Sequence, residues 1–249
     1  MSFDFLSRTE LLLSEEHLEK LANSSIAVFG LGGVGSCTAE MLCRAGIGTL
    51  CLIDGDRVVL SNLNRQMAYS RNEIGKDKTK AMEDRLVSIN PDLKIKVYNE
   101  FISERSRFLE ILKENQFDFV IDAIDTLSSK CSLILSAIQT STPIVSSFGA
   151  GGRLNPEDIR VDDISKTKNC RLAYYARRIL RRNGVRKGVR AVYSLEIPSK
   201  DSVTLEESVR GKKSTIGTIS YLPNLFGIYC AAEVIRARLK EDHSSGRTL

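Results

Sequence analysis

The chain has 249 residues, of which 27% are charged and 42% hydrophobic, and its net charge is +5 at pH 7. That length bounds it to one large domain or two small ones, burying roughly 70–75% of the unfolded surface, and its apolar content excludes a disordered polyelectrolyte. The six cysteines (Cys37, Cys43, Cys51, Cys131, Cys170, Cys230) never form a Cys-x-x-Cys pair, which argues against a disulfide framework and a zinc site and predicts reduced thiols in a cytoplasmic protein.

Residues 14–23 have amphipathic helical spacing, and Ile26–Phe29 follows as a strand. It runs into Gly30-Leu31-Gly32-Gly33-Val34-Gly35, where Gly30, Gly32, Gly33 and Gly35 suit a turn that opens a helix and brings backbone N–H groups against phosphates. The helical pattern continues from Val34 to Ala45, Gly46 and Gly48 close it, and Thr49–Ile53 is a second strand, giving a β-α-β unit. Asp54 then stands 24 residues after Gly30, where a carboxylate accepts ribose hydroxyls.

A glycine turn and an acid serve nicotinamide, flavin and ATP sites alike. The residues that discriminate come next: the polar cluster Asn62, Asn64, Arg65 and Gln66, and then Lys78 at the start of a helix over Lys78–Ile89. Two fixed cations are what a triphosphate needs while charge develops on leaving pyrophosphate, so the sequence reads as an ATP site.

A strand over Leu93–Tyr98, a helix over Ser103–Asn115 and a strand over Phe117–Ala123 follow. The last of these brings Asp122 and Asp125 to its carboxyl end, where open α/β sheets bind ligands, and Asp125 is the candidate magnesium ligand; the competing reading is a helix cap. Beyond come a helix over Ser129–Thr140, a strand over Pro143–Ser147, a glycine turn at Gly149, Gly151 and Gly152, and strands over Asp158–Ile164 and Ala191–Glu196.

Between those two strands the chain turns basic. From Lys166 to Arg190 there is no Asp or Glu, and the helix over Leu172–Arg182 groups Arg171, Arg177, Arg178, Arg181 and Arg182 as candidate RNA phosphate contacts. Residues 166–214 form a basic crossover and a polar, mobile loop within a single domain spanning 1–249. A last helix, Pro223–Leu239, precedes a frayed tail, Glu241–Leu249. The stretch Ile219 to Ile235 is the most apolar, but it carries Pro223, Asn224, Gly227 and Glu233, so it reads as a buried helix and not a membrane span; the amino terminus lacks an apolar signal core. The only histidines, His17 and His243, lie in a surface helix and the tail, which argues against histidine acid–base catalysis.

Gly-x-Gly-Gly-x-Gly, Asp54-x-Asp56, Ser61-Asn62-Leu63-Asn64-Arg65-Gln66, Gly75-Lys76-Asp77-Lys78 and Asp122-x-x-Asp125 together resemble the adenylating domain of the ubiquitin-activating superfamily, over roughly residues 5 to 165. The resemblance implies a Rossmann-like α/β fold with a mostly parallel sheet continuing into a mixed C-terminal part. It implies ATP contacts from Gly33, Asp54, Asn62, Asn64, Arg65, Lys78, Asp125 and Thr126, with magnesium on Asp125. It further implies a homodimer that donates an N-terminal arginine in trans, for which Arg8 is the nearby candidate.

Ser147-Phe148-Gly149-Ala150-Gly151-Gly152-Arg153, Asp163-Ile164-Ser165-Lys166-Thr167 and Val192-Tyr193-Ser194-Leu195-Glu196 are similar, within that superfamily, to the tRNA threonylcarbamoyladenosine dehydratases. These adenylate the carboxylate of N6-threonylcarbamoyladenosine in tRNA and close it into a ring, releasing pyrophosphate and AMP. A sulfur-relay protein is a possible further partner. Cys170 reads as incidental, although related enzymes place a thioester or persulfide cysteine in this region. Two alternatives stand beside this reading. One is an activator of a ubiquitin-like or sulfur-carrier protein, weakened by the absent Cys-x-x-Cys pairs; the other is a nicotinamide redox domain, disfavoured by Arg65 and Lys78.

Overall fold

The computed structural model describes residues 4–204 and 215–240. Seven strands form one sheet: β1 (Ser25–Phe29), β2 (Thr49–Ile53), β3 (Lys94–Tyr98), β4 (Phe119–Asp122), β5 (Ile144–Ser147), β6 (Ile159–Asp163) and β7 (Arg190–Ser194). Their spatial order is β3-β2-β1-β4-β5-β7-β6, every pairing parallel except the antiparallel β6–β7 edge. The central strands are buried along nearly their whole length because both sheet faces are covered, the normal condition of a parallel sheet.

Alternation along each strand divides the core. Ile26, Val28, Leu50 and Leu52 share one cluster with residues of helices α3 (Gly33–Arg44), α4 (Lys78–Ile89) and α8 (Tyr221–Lys240). Ala27, Phe29, Cys51 and Ile53 point the other way, onto α5 (Arg105–Asn115), α6 (Leu127–Gln139) and α7 (Arg171–Arg182). The remaining elements are α1 (Ser7–Glu10), α2 (Glu15–Ala22) and the short antiparallel pair β8 (Val203–Thr204) and β9 (Thr215–Ile216). No helix among the described residues is long and apolar enough to cross a membrane.

The α/β class and the predicted element order hold, and no boundary moves by more than two residues. The helix expected from Ser129 begins at Leu127, with Thr126 in the capping position, and the strand expected over Phe117–Ala123 pairs only over Phe119–Asp122. The C-terminal helix starts two residues early, with Pro223 in its first turn, where a missing N–H has no consequence. α1 and the β8–β9 pair have no counterpart in the sequence reading, being too short for a periodic signal. The tail Glu241–Leu249 and residues 205–214 of the predicted loop lie outside the described residues.

β1 and β4 are neighbours although β2 and β3 lie on the far side of β1, so the chain reverses its direction of sheet growth between them. Open α/β sheets bind ligands in the crevice that this reversal leaves at the carboxyl ends of the strands. The glycine turn and the Asp122–Asp125 segment open into that crevice from its two sides.

Candidate active site

The three glycines of the Gly-x-Gly-x-x-Gly turn have separate tasks. Gly30 leaves β1 at φ +89°, a left-handed conformation, with Ala123 O 2.9 Å from where a Cβ would stand. A Cβ on Gly35 would lie 1.7 Å from Gly30 O, so only glycine lets α3 begin so close to the strand. A Cβ on Gly32 would meet nothing nearer than Gln66 Nε2 at 3.9 Å: space remains above this residue, at the N-cap of α3. The first bond of α3 runs from Ser36 N to Gly32 O (3.0 Å), so the N–H groups of its first turn are available to an anion. Gly33 is covered instead, by Pro223 and Arg65 O.

The loop is pinned from both sides through Leu31. Its N–H donates to Asp54 Oδ2 (2.6 Å), and its carbonyl accepts from the buried Tyr69 hydroxyl (2.9 Å). Asp54 Oδ1 accepts from Asp56 N (2.7 Å), which leaves each carboxylate oxygen a further lone pair for a ribose hydroxyl. Burial pushes the Asp54 carboxyl above its ordinary value, while the charge of Lys78 and the two N–H bonds pull against that rise. Burial likewise pushes the Tyr69 phenol well up, helped by Asp54.

Lys78 opens α4 and is only 5% exposed, with Nζ 3.0 Å from Asp56 Oδ2. Asp56, Asn62 and Lys78 line a cleft of about 320 Å³ together with Gly55, Arg57 and Val59. Asn62 is buried and organises the following turn: its Oδ1 accepts from Val59 N, and its carbonyl from Arg65 N (3.1 Å) and Gln66 N (2.9 Å). Arg65 Nη1 donates to Ser61 O and Asn64 Oδ1, both at 2.9 Å, and among the described residues the guanidinium has no acidic partner. Asn64 Nδ2 in turn reaches Thr218 O (3.0 Å), and Asn224 Nδ2 holds Arg65 O (3.0 Å). Gln66 is 3% exposed; its Nε2 is the atom nearest the space above Gly32, and its Oε1 has no hydrogen-bond partner among the described residues.

The two acids after β4 differ completely. Asp122 is 0% exposed; its Oδ2 lies 2.6 Å from Lys130 Nζ, itself 0% exposed, and accepts from Ser146 Oγ, while Oδ1 takes Ile124 N at 3.1 Å. Asp122 is therefore not a ligand contact, contrary to the sequence reading: it is sealed beneath the loop that it shapes. Asp125 is exposed at the rim, and the capping position of α6 belongs to Thr126, which makes no side-chain cap bond, so the competing helix-cap reading of Asp125 fails. Thr126 Oγ1 lies 3.4 Å from Asp125 Oδ1.

Leu6 fills the space beside Gly46, where a Cβ would meet Leu6 Cδ1 at 2.6 Å; that is the amino end of β2, the opposite end from Asp54, so Arg8 in α1, expected to act in trans, lies outside the site of its own chain. One other expectation needs correction. In α7, Ala173, Ala176 and Leu180 face the core, and Arg171, Arg178, Arg181 and Arg182 are exposed. Arg177 is the exception. Its Nη1 donates to Thr167 O (3.0 Å) and Thr167 Oγ1, which turns it inward, and burial with the charge of Arg181 lowers its pKa. Cys170 is buried and caps α7, accepting from Ala173 N at 3.5 Å.

Comparison with known proteins adds the lineage. The ThiF family model matches residues 6–249. The tRNA threonylcarbamoyladenosine dehydratase of Bacillus subtilis is 34% identical over 242 residues, covering 94% of both chains. The chain belongs to the ThiF family, in its tRNA threonylcarbamoyladenosine dehydratase branch. A crystal structure of the Escherichia coli tRNA N6-threonylcarbamoyladenosine dehydratase in complex with ATP superimposes with a TM-score of 0.88 at 31% identity, covering 98% of this chain and 97% of that one. The E. coli sulfur carrier protein ThiS adenylyltransferase is 33% identical, but over only 55% of this chain and 54% of its own.

Sequence reasoning missed Tyr69, Lys130, Arg153, Thr218 and Asn224, each of which supports the site through contacts distant in sequence. Arg153 is 4% exposed and donates to the carbonyls of Gly149, Gly151, Asn169 and Glu196, tying the second glycine turn to the start of α7. A lone arginine after a glycine pair was the only signal available for it.

Proposed function

We propose that the chain is an ATP-dependent tRNA threonylcarbamoyladenosine dehydratase, adenylating the N6-threonylcarbamoyladenosine carboxylate and closing it to a ring. One observation carries the choice of substrate: the dehydratase of B. subtilis aligns over 94% of this chain, whereas the carrier-protein adenylyltransferase aligns over 55%. The adenylation machinery is common to both; what extends beyond it is shared with the dehydratase.

In the first step a carboxylate oxygen bonds to the α-phosphorus of ATP and the bond from that phosphorus to the bridging oxygen breaks, giving acyl adenylate and pyrophosphate. The N–H groups at the start of α3 receive phosphate oxygens, Asp54 orients the ribose, and Arg65 and Lys78 offset the charge that develops on the leaving group. Among the described residues no group of three or more acidic, histidine or cysteine side chains gathers to cage a metal ion. A carboxylate at the rim fits magnesium, which is held by one or two carboxylates plus phosphates and water, so Asp125 would hold it. Magnesium, when bound, neutralises phosphate charge. In the second step the carbamoyl group attacks the activated acyl carbon, loses a proton and expels AMP, which carries away the carboxylate oxygen; the net change is loss of water.

The reading includes a homodimer in the cytoplasm. Arg8 is exposed, and beside it Leu11 and Leu12 are each 82% exposed, apolar surface that a second copy would cover while Arg8 reaches the partner's triphosphate.

Arg65→Ala tests the assignment. Its guanidinium makes only local bonds, so the fold should persist while tRNA-dependent conversion of ATP to AMP falls about 10²–10³-fold, the usual loss for one well-placed transition-state donor. Near-normal turnover with modified tRNA would count against it.

A further inference from the structure

The outward face of α7 combines two side-chain types that the charge pattern alone does not bring together. Tyr174 and Tyr175 are 49% and 39% exposed, with ring centroids 5.2 Å apart at 75°, and the Arg178 guanidinium lies 5.8 Å from the Tyr174 ring centre. At 100° per residue, Arg171, Tyr174, Tyr175, Arg178 and Arg182 share the side opposite Ala173, Ala176 and Leu180, which are buried. Among the described residues no ion pair engages Arg171, Arg178, Arg181 or Arg182, although Lys166 and Arg190 on either side pair with Asp162 and Glu233. The ring pair and the cation–π contact hold the side chains in place, but neither uses up the exposed ring faces or the charge of Arg171, Arg178, Arg181 and Arg182.

The direction of α7 gives the strip its polarity. Asn169 Nδ2 donates to Leu195 O (2.6 Å) just past the carboxyl end of β7, Arg153 Nη2 holds Asn169 O (2.7 Å), and Cys170 lies against Gly149 past the end of β5. The helix therefore starts at the rim that carries the nucleotide crevice and descends towards the amino end, where Val189 O accepts from Ile164 N. Arg171 opens the helix, the tyrosines sit where its first turn passes into the second, on the crevice side of Arg178, and Arg178, Arg181 and Arg182 trail away from the crevice.

We propose that this face binds unpaired RNA: Tyr174 and Tyr175 stack on bases next to the reacting nucleotide, and the arginines below them take the phosphates of the strand leading to it. The proposal rests on the dehydratase reading and adds how the nucleotide is presented. Aromatic faces recognise unstacked bases, which a duplex does not offer, and cations that track a backbone complete the recognition of single strands. An acidic protein partner would engage the arginines and leave the rings without a role.

The test uses the full-length protein and an anticodon stem–loop RNA that carries N6-threonylcarbamoyladenosine, with 2-aminopurine at the neighbouring unpaired position. Wild-type protein should change the 2-aminopurine fluorescence on binding. Tyr174→Ala and Tyr175→Ala should each weaken binding by roughly 5- to 150-fold without changing the slope of affinity against salt. Arg178→Ala should weaken binding and lower that slope by about one. Tyr→Phe at either position should restore binding, which separates stacking from a folding defect. Wild-type turnover and tight binding together with unchanged alanine variants would overturn the strip but leave the dehydratase reading intact, as would equal affinity for a fully paired RNA of the same length. Failure of the wild type to convert ATP to AMP with the modified RNA would overturn both.

Discussion

The phosphate cradle can be tested by two alanines three residues apart. At Gly35 an added Cβ would stand 1.7 Å from Gly30 O, a backbone atom that cannot yield without opening the turn between β1 and α3. At Gly32 the same methyl would have nothing within 3.9 Å, and the residue's φ of −73° is accessible to alanine. Gly35→Ala should therefore unfold the turn and lower the melting temperature by many degrees. Gly32→Ala should melt within about 2 °C of wild type, because it meets no atom and the roughly 0.4–1 kcal/mol gained by restricting the unfolded chain is offset by a loss of similar size when alanine replaces an N-cap glycine. ATP should respond differently. A phosphate resting on the Gly32 backbone has to give up about 1 Å to the methyl, and a displacement of that size costs on the order of 10²-fold in turnover. The assays are differential scanning fluorimetry with and without ATP and pyrophosphate release. Gly32→Ala that melts normally and retains wild-type ATP affinity would refute the placement of the phosphates over α3.

Three further outcomes are expected. Lys130→Met strips the fully buried Asp122 of its cation, a loss of about 3–5 kcal/mol or about 6–20 °C in melting temperature; a fall of less than about 3 °C by calorimetry, half the lower bound, would contradict it. Burial pushes Glu40 up, but the hydrogen bonds and charges of Arg85 and Arg44 outweigh it and hold the carboxyl below its ordinary value. It therefore contributes stability above the ordinary carboxylate pKa that is lost as pH falls through the lowered one, and Glu40→Gln should flatten the acid limb of a melting-temperature profile. Cys170→Ser should retain ring closure, since the sulfur acts as a helix cap and serine caps at least as well; loss of the second step with adenylation intact, seen by AMP release against pyrophosphate release, would assign the thiol to the chemistry.

The sequence by itself determined the order of strands and helices and the nucleotide crevice. Hydrophobic period and glycine spacing are local signals: Gly30, Gly32 and Gly35 act within six residues, and Asp54 and Lys78 sit at predicted element ends, which a parallel sheet brings to one rim. It went wrong where partners are distant. Asp122 and Asp125 look alike three residues apart, and only Lys130, one helical turn into α6, with Ser146 on β5, decides which is buried. Arg177 reads like its neighbours until Thr167 claims it. Tertiary packing alone decided these cases, because the direction of a side chain depends on which atoms surround it, and those come from segments whose separation along the chain carries no periodic trace.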